Sequence, residues 1–266
     1  MTSILWGRPA RLSAAAAFFA SLAFSHASAQ GLDLDVPYVP TPPSVVEKML
    51  DLAQVKEGDN VIDLGSGDGR IAIAAAKRGA RAYGVDLNPQ RIAEAEANAK
   101  EAGVEVTFKE QNLFDTNISG ADVITMYLLP SVNRDLRQRI LDLKPGTRIV
   151  SHAFDMGEWE PDERASVDGR TVYHWVVPAK FYGRWNVEHN GETVNLSLNQ
   201  NFQKLKGSAE VGGTRMDATG EIKGEVVRIT FGEGESRREF VGRINGSSFE
   251  PVEAENAKGT WKATRA

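Results

Sequence analysis

The sequence predicts an α/β protein: a parallel sheet with helices on both faces, followed by a smaller antiparallel β domain, either a barrel or a sandwich-like meander. Three observations carry this. From Gly31 to about Pro178, short apolar runs alternate with helical patterns, the arrangement that feeds parallel strands through crossover helices. Beyond Pro178 the helical period stops, and Gly- or Asn-punctuated segments of alternating residues take over, as in antiparallel barrels and meanders. The 266 residues are 41% hydrophobic and 25% charged, which is enough to bury a core and argues against disorder, collagen-like repetition or a multi-pass membrane protein.

Taken in order, the chain begins with a basic stretch carrying Arg8 and Arg11, an apolar run from Leu12 to Phe24 and the small-residue site Ala27-Ser-Ala29. That order describes a secretory signal with cleavage after Ala29, so an exported protein, periplasmic or secreted, is expected. At ~1.5 Å per helical residue the run is short for a bilayer's ~30 Å hydrocarbon core, so no stable span is expected after cleavage. The expected layout is therefore a signal over 1–29, an α/β domain over 30–180 and a β-rich accessory domain over 181–266.

Within the α/β part, Val61–Leu64, Arg81–Asp86, Glu105–Phe108, Asp122–Tyr127 and Thr147–His152 read as strands. Ser44–Ala53, Arg70–Arg78, Pro89–Glu101 and Val132–Leu143 read as helices. Pro89 suits a first helical turn, and Gly79 and Gly103 suit C-terminal caps. In the second part, Gly183–Glu188, Thr193–Leu198, Val226–Phe231 and Arg238–Arg243 read as strands. Trp185 and Trp261 lie near its two ends, where they either meet at a barrel seam or simply fill its core.

Charge and cysteine usage narrow the chemistry. Thirty-one basic against 36 acidic residues leave a net charge of −5, more acidic still without Arg8 and Arg11, so no nucleic-acid partner is expected. Cysteine is absent, which removes disulfides, thiolate metal sites and cysteine nucleophiles.

The sharpest motif is Val61-Ile-Asp63-Leu-Gly65-Ser66-Gly67-Asp68-Gly69-Arg70, a strand running into three alternate glycines and then a helix. Glycine permits positive φ and lets a ligand approach without meeting a β-carbon. The C-terminal end of a first strand is where open α/β sheets bind nucleotide-like ligands. Asp86 ends the next strand, where a carboxylate accepts hydrogen bonds from ribose hydroxyls. A dinucleotide fingerprint wants a third glycine where Arg70 stands.

The run D-x-G-x-G-x-G instead resembles the first motif of class I S-adenosyl-L-methionine-dependent methyltransferases, with their Rossmann-like sheet. Together with Val36-Pro-Tyr-Val-Pro-Thr-Pro42, Met126-Tyr-Leu-Leu-Pro130 and Lys144-Pro-Gly-Thr-Arg-Ile-Val-Ser151, it looks like the lysine methyltransferases of the mitochondrial ADP/ATP carrier and ATP synthase c subunit and their bacterial relatives. The resemblance runs roughly from Val36 to Trp159. It implies methyl transfer to a protein lysine; the export signal and the appended β domain are departures.

By position, the resemblance implies that Gly65, Ser66, Gly67 and Gly69 line the methionine portion of the cofactor, with Asp63 or Asp68 near its ammonium. Asp86 then holds the ribose, Leu87 flanks the adenine, Asn112 accepts from the adenine amino group and Leu113 adds a backbone contact. Asn112 also reads as an ordinary turn residue. In the resembling family the segment with Tyr38 and Thr41 folds over the cofactor as a lid, whereas its prolines alone read as an extended linker. Tyr127, ending the fourth strand beside the expected methyl group, is the catalytic candidate, orienting an incoming amine. Tyr127-Leu-Leu-Pro130 lacks the Asn-or-Asp-Pro-Pro-aromatic motif of nucleobase and glutamine methyltransferases.

His174 and His189 lack acidic partners at ligand spacing; His152 closes the fifth strand, facing the pocket or serving structure. Without H-E-x-x-H or a cysteine cluster no catalytic metal is expected, and Gly65-Ser66-Gly67 lacks the hydrolase elbow spacing. The expected acceptor is a protein or a small molecule. The other reading from the sequence is a non-catalytic module for an adenosine-containing ligand, with the β domain recognising a partner or envelope component.

Overall fold

The computed structural model describes Thr2, residues 38–252 and residues 261–266. Apart from Thr2, the expected export signal over 1–29 lies outside the described residues, as do Val36 and Pro37. Helix α1 (Pro43–Leu52) leads into β1 (Asn60–Leu64), α2 (Arg70–Lys77), β2 (Arg81–Asp86), α3 (Pro89–Ala102) and β3 (Val106–Glu110). Then follow β4 (Val123–Met126), α4 (Pro130–Leu141), β5 (Arg148–His152), β6 (Glu163–Val167) and β7 (Arg170–Val176). The caps fall where expected: Pro89 opens α3 behind Asn88, whose side chain accepts from Gln90 N, and Gly103 closes it at φ 69°.

The strands order as β3-β2-β1-β4-β5-β7-β6. The first five run parallel, but β7 is antiparallel to β5 and to β6. The five strands read from the sequence thus run parallel as expected, and the unread β6 and β7 add an antiparallel edge that makes the sheet mixed. Its cause is local: Asp168 (φ 50°) and Gly169 (φ 72°) form a two-residue turn between the paired Val167 and Arg170, a backbone shape that ties antiparallel strands together. Because β2 flanks β1 on one side and β4 on the other, strand order reverses direction beside β1. The crevice at such a switch point is where open α/β sheets bind ligands.

Strand alternation divides the core. Val61, Val123 and Val150 pack with α1, α2 and α3 on one face; Ile62, Leu64, Ile124 and Met126 pack with α4 on the other. That second face, which carries a single α-helix among the described residues, is completed by Ile118, Met156 and Trp159 and by the second part of the chain. Phe202 stacks on Trp159 at 6.1 Å under the Arg137 guanidinium, 5.4 Å away, and Gln203 Nε2 donates to Glu160 O at 2.7 Å.

The second part is a barrel rather than a sandwich. Its strands are β8 (Gly183–His189), β9 (Glu192–Asn201), β10 (Lys204–Val211), β11 (Thr214–Lys223), β12 (Val226–Phe231), β13 (Arg238–Asn245), β14 (Ser248–Pro251) and β15 (Trp261–Arg265). The ring closes where β15 pairs antiparallel with β8, from Trp261 opposite His189 to Arg265 opposite Trp185. The core reading of the tryptophans holds: they lie on the two seam strands but at different registers rather than opposite each other, and both rings pack on Phe249 in the barrel core, at 6.4 Å for Trp185 and 4.6 Å for Trp261. Among the described residues no helix is long and apolar enough to cross a membrane.

Candidate active site

The glycine loop leaves β1 and is bent back onto β2. Gly65 N and Ser66 N both donate to Val85 O, at 2.9 and 2.8 Å, and Gly69 N donates to Ser66 O at 2.9 Å. Asp86, at the end of β2, fixes the same loop: one carboxylate oxygen accepts from Gly67 N and the other from Asn88 N, each at 2.9 Å. A carboxylate oxygen offers more than one acceptor site, so both remain able to receive a ligand hydroxyl.

Two recesses meet at Gly65, Asp86 and Leu128 to form one cleft. The first, about 620 Å³, is bounded by Tyr38, Thr41, the loop from Gly65 to Asp68, and Tyr127. The second, about 480 Å³, is bounded by Leu87, Gln111, Asn112, Leu113, Phe114 and Val132. Of the residues expected at the site, Tyr38, Thr41, Gly65, Ser66, Gly67, Asp68, Asp86 and Tyr127 come together around the first, and Asp86, Leu87, Asn112 and Leu113 around the second.

Asp63 and Gly69 are not brought to the cleft. Asp63 lies on the face of the sheet that α1, α2 and α3 cover; it is 1% exposed, and its Oδ1 accepts from Thr125 Oγ1 at 2.7 Å. Its other oxygen has no hydrogen-bond partner among the described residues, and burial, then the charges of Asp86 and Asp68, push the carboxyl up to about 7 against the opposing influence of the Thr125 hydroxyl and the nearby Ala72 backbone. Gly69 is the left-handed cap of α2, and a β-carbon there would meet Phe108 at 2.5 Å. Its role is close packing of loop on sheet.

The segment before α1 is extended, yet it covers the loop. Tyr38 lies against Gly67, where an added β-carbon would fall 2.6 Å from its ring, and the Arg91 guanidinium sits 3.9 Å above that ring. Arg70 ties the segment down from below: its Nη1 donates to Thr41 O at 2.8 Å while its Nε donates to Asp68 at 2.9 Å. Burial alone raises the Asp68 carboxyl, but the Arg70 hydrogen bonds and charge outweigh it, and the group lies below its ordinary value. Residues 38–41, in neither helix nor strand, thus line the cleft, as either a linker or a lid would.

At the far end of the segment, Thr41 Oγ1 and His152 Nδ1 are hydrogen-bonded at 3.1 Å. His152 is buried, and burial, then the Arg170 charge, lowers it to about 4, so the ring is neutral near neutral pH. It packs against Tyr127 with ring centroids 3.9 Å apart. Asn112 takes its turn role, its Oδ1 accepting from Phe114 N at 2.9 Å, while also lining the second recess.

Sequence reasoning missed Leu128 and Arg91 on the cleft wall, and it missed α4 altogether as a source of order. Arg139 of α4 donates to the carbonyls of Leu113 at 3.3 Å and Thr116 at 2.6 Å, holding the loop that bounds the second recess. Leu128 had a signal, lying two residues past the end of β4; Arg139 had none, because the carbonyls it holds are remote in sequence. Among the described residues no group of three or more His, Asp or Glu side chains is placed to hold a metal ion.

With this geometry in hand, comparison with known proteins is direct. The ANTKMT methyltransferase domain matches residues 63–163, from the end of β1 to the start of β6. A protein-lysine N-methyltransferase of Saccharolobus islandicus is 46% identical over 151 residues, 53% of this chain and 94% of that protein. The adenine nucleotide translocase lysine N-methyltransferase of Mus musculus is 36% identical over 49% of this chain and 58% of its own length. Among solved structures, an RNA methyltransferase from Salinibacter ruber in complex with S-adenosyl-L-homocysteine shares 52% identity, covering 54% of this chain and 96% of that one, with a TM-score of 0.53. The barrel lies beyond the matched domain. Being 46% identical over 151 residues to an enzyme whose length it covers to 94%, and carrying the matched domain across its glycine loop, the chain belongs to the ANTKMT family of class I S-adenosylmethionine-dependent methyltransferases.

Proposed function

We propose that the protein transfers the methyl group of S-adenosylmethionine to the ε-amino group of a lysine in a protein acceptor. The observation that carries this reading is the 46% identity, over 94% of its length, with a protein-lysine N-methyltransferase. The residues of the cleft fit the cofactor. Ser66 Oγ is buried at the loop with no partner among the described residues, a β-carbon at Gly65 would fall 2.8 Å from Leu128, and Asp86 stands where the two recesses join. Gly65, Ser66, Gly67 and Asp68 would hold the methionine portion, Asp86 the ribose, and Leu87, Asn112 and Leu113 the adenine.

When bound, the cofactor supplies an activated methyl group with its leaving group already in place. The chain's task is therefore alignment and exclusion of water. Tyr38 and Thr41 cover the methionine side, and Tyr127 offers its hydroxyl and ring to the incoming amine. A lysine must react in its deprotonated form, and desolvation between apolar walls favours that form; the His152 ring behind Tyr127 is itself neutral near neutral pH.

Incubation with tritium-labelled S-adenosylmethionine and a membrane and soluble protein extract tests the reading, with methyl-lysine identified by mass spectrometry. Label in protein supports it; binding of cofactor with no transfer returns the binding-module reading. A nucleic-acid acceptor is the second reading, favoured by the name of the Salinibacter ruber relative and opposed by the net charge of −5; label in an RNA fraction alone would establish it. We further propose export, on the basis of residues 1–29, which amino-terminal sequencing of the mature protein at Gln30 would support.

A further inference from the structure

Directly after β5 the backbone makes a turn that ordinary residues avoid. Ala153 has φ 65°, and Phe154 N donates to His152 O at 2.8 Å across it, the geometry of a γ-turn with positive φ, which is rare and strained for a residue with a β-carbon. Such a turn persists only where the surroundings over-determine it. Here they do. Ala153 N donates to Thr171 O at 2.8 Å, and Ser151 Oγ donates to Phe154 O at 2.7 Å. Asn133, wholly buried in the first turn of α4, spreads its amide over Ser151 Oγ, Phe154 O and Asp155 O at 3.3, 3.2 and 3.2 Å.

The turn places two rings on Tyr127: His152 at 3.9 Å and Phe154, nearly parallel, at 6.2 Å. Phe154 is partly exposed, so the aromatic surface that begins at the cleft continues outward past Tyr127. We propose that Tyr127 and Phe154, backed by the buried His152 ring, form one aromatic wall for the aliphatic chain of the acceptor amine, and that Asn133, which touches no part of the cleft, is the residue that positions it by holding the strained turn at Ala153. The choice of a primary-amine acceptor rests on the protein-lysine reading above; the positioning role does not. An aromatic wall suits such a chain because ring faces bury methylenes and attract an ammonium approaching them.

The test uses the full chain labelled with 3-fluorotyrosine and saturated with S-adenosylhomocysteine, the Tyr127 signal being assigned by its loss in Tyr127→Phe. Asn133→Ala should shift or broaden that 19F resonance and weaken its response to Nα-acetyl-lysine methylamide by about tenfold, misplacement of this kind being costly in an alignment-driven site, while the S-adenosylhomocysteine Kd stays within about twofold. Asn133→Ala combined with Ala153→Gly should recover both, since glycine adopts positive φ without support. Should Asn133→Ala fail to fold, Ser151→Ala removes one of the same restraints and carries the same expectation. An unmoved Tyr127 resonance overturns the positioning role, as does a loss of cofactor binding in parallel with it. A resonance that moves and recovers as expected, yet ignores the lysine amide, supports the positioning and counts against the protein-lysine reading instead.

Discussion

Asp63 offers the most quantitative check on the structure. Its carboxyl is raised by burial from 3.8 to about 7, with only Thr125 as a side-chain partner. The folded state therefore holds a proton that the unfolded chain releases near its ordinary value. The group's contribution is fully present below about pH 4 and is lost as pH rises through the folded value near 7, because over that window the native state binds more protons than the unfolded one. About three pH units at ~1.4 kcal/mol each set a ceiling of ~4 kcal/mol. Asp63→Asn keeps an oxygen for Thr125 and cannot ionise. The stability of the wild type relative to this variant should thus fall by up to ~4 kcal/mol between about pH 4 and about pH 7, with any fixed cost of the unpartnered amide cancelling from the slope. Urea denaturation of both ligand-free proteins across that range measures it. Parallel stability curves would refute the buried, under-partnered carboxylate and with it the placement of Asp63 away from the cleft.

Three further outcomes follow from particular contacts. Asp86→Ala removes the acceptor of two backbone donors and should weaken S-adenosylhomocysteine by ~1–3 kcal/mol, about 5- to 150-fold in Kd by titration calorimetry; unchanged affinity in a folded variant would contradict its assigned role. Gly67→Ala sets a β-carbon 2.6 Å from the Tyr38 ring at φ 53° and should cost ~1–2 kcal/mol of stability, read as a lowered Tm, together with weaker cofactor binding as Tyr38 is displaced. Trp261→Ala empties a site packed on Phe240 at 5.2 Å and Phe249 at 4.6 Å and should cost ~3–5 kcal/mol in a urea titration; a loss below ~1 kcal/mol would show that the seam does not hold the barrel.

What could be read in the sequence was local. The glycine loop, the acid ending the second strand and the helix caps are short-range requirements of the backbone, and each lies within a few residues of its cause. The sidedness of Asp63 was also legible, since strand alternation puts it with Val61 on the helix-covered face. The β6–β7 hairpin carried a signal in Asp168-Gly169, masked by apolar residues that read as a continuation of the α/β pattern. Asn133, Arg137 and Arg139 were not legible, because polar residues on a short helix look like a solvated face. Here Arg137 donates to Met156 O and Arg139 to Thr116 O, partners supplied by loops on either side of the helix in sequence. Whether His152 faced ligand or core was likewise a tertiary matter, decided by Thr41, more than a hundred residues away.

Closure of the ring has a consequence for how this chain coexists with other copies of itself. Among the described residues, eight strands joined edge to edge leave no open sheet edge for a stray segment to zip onto, so a large addition of β structure brings no new adhesive border. In the α/β sheet such borders persist, among the described residues, only at β3 and β6. Each is just five residues long and bears charge, Lys109 and Glu110 on the one, Glu163 and Arg164 on the other, which is how natural proteins blunt an exposed margin against self-association.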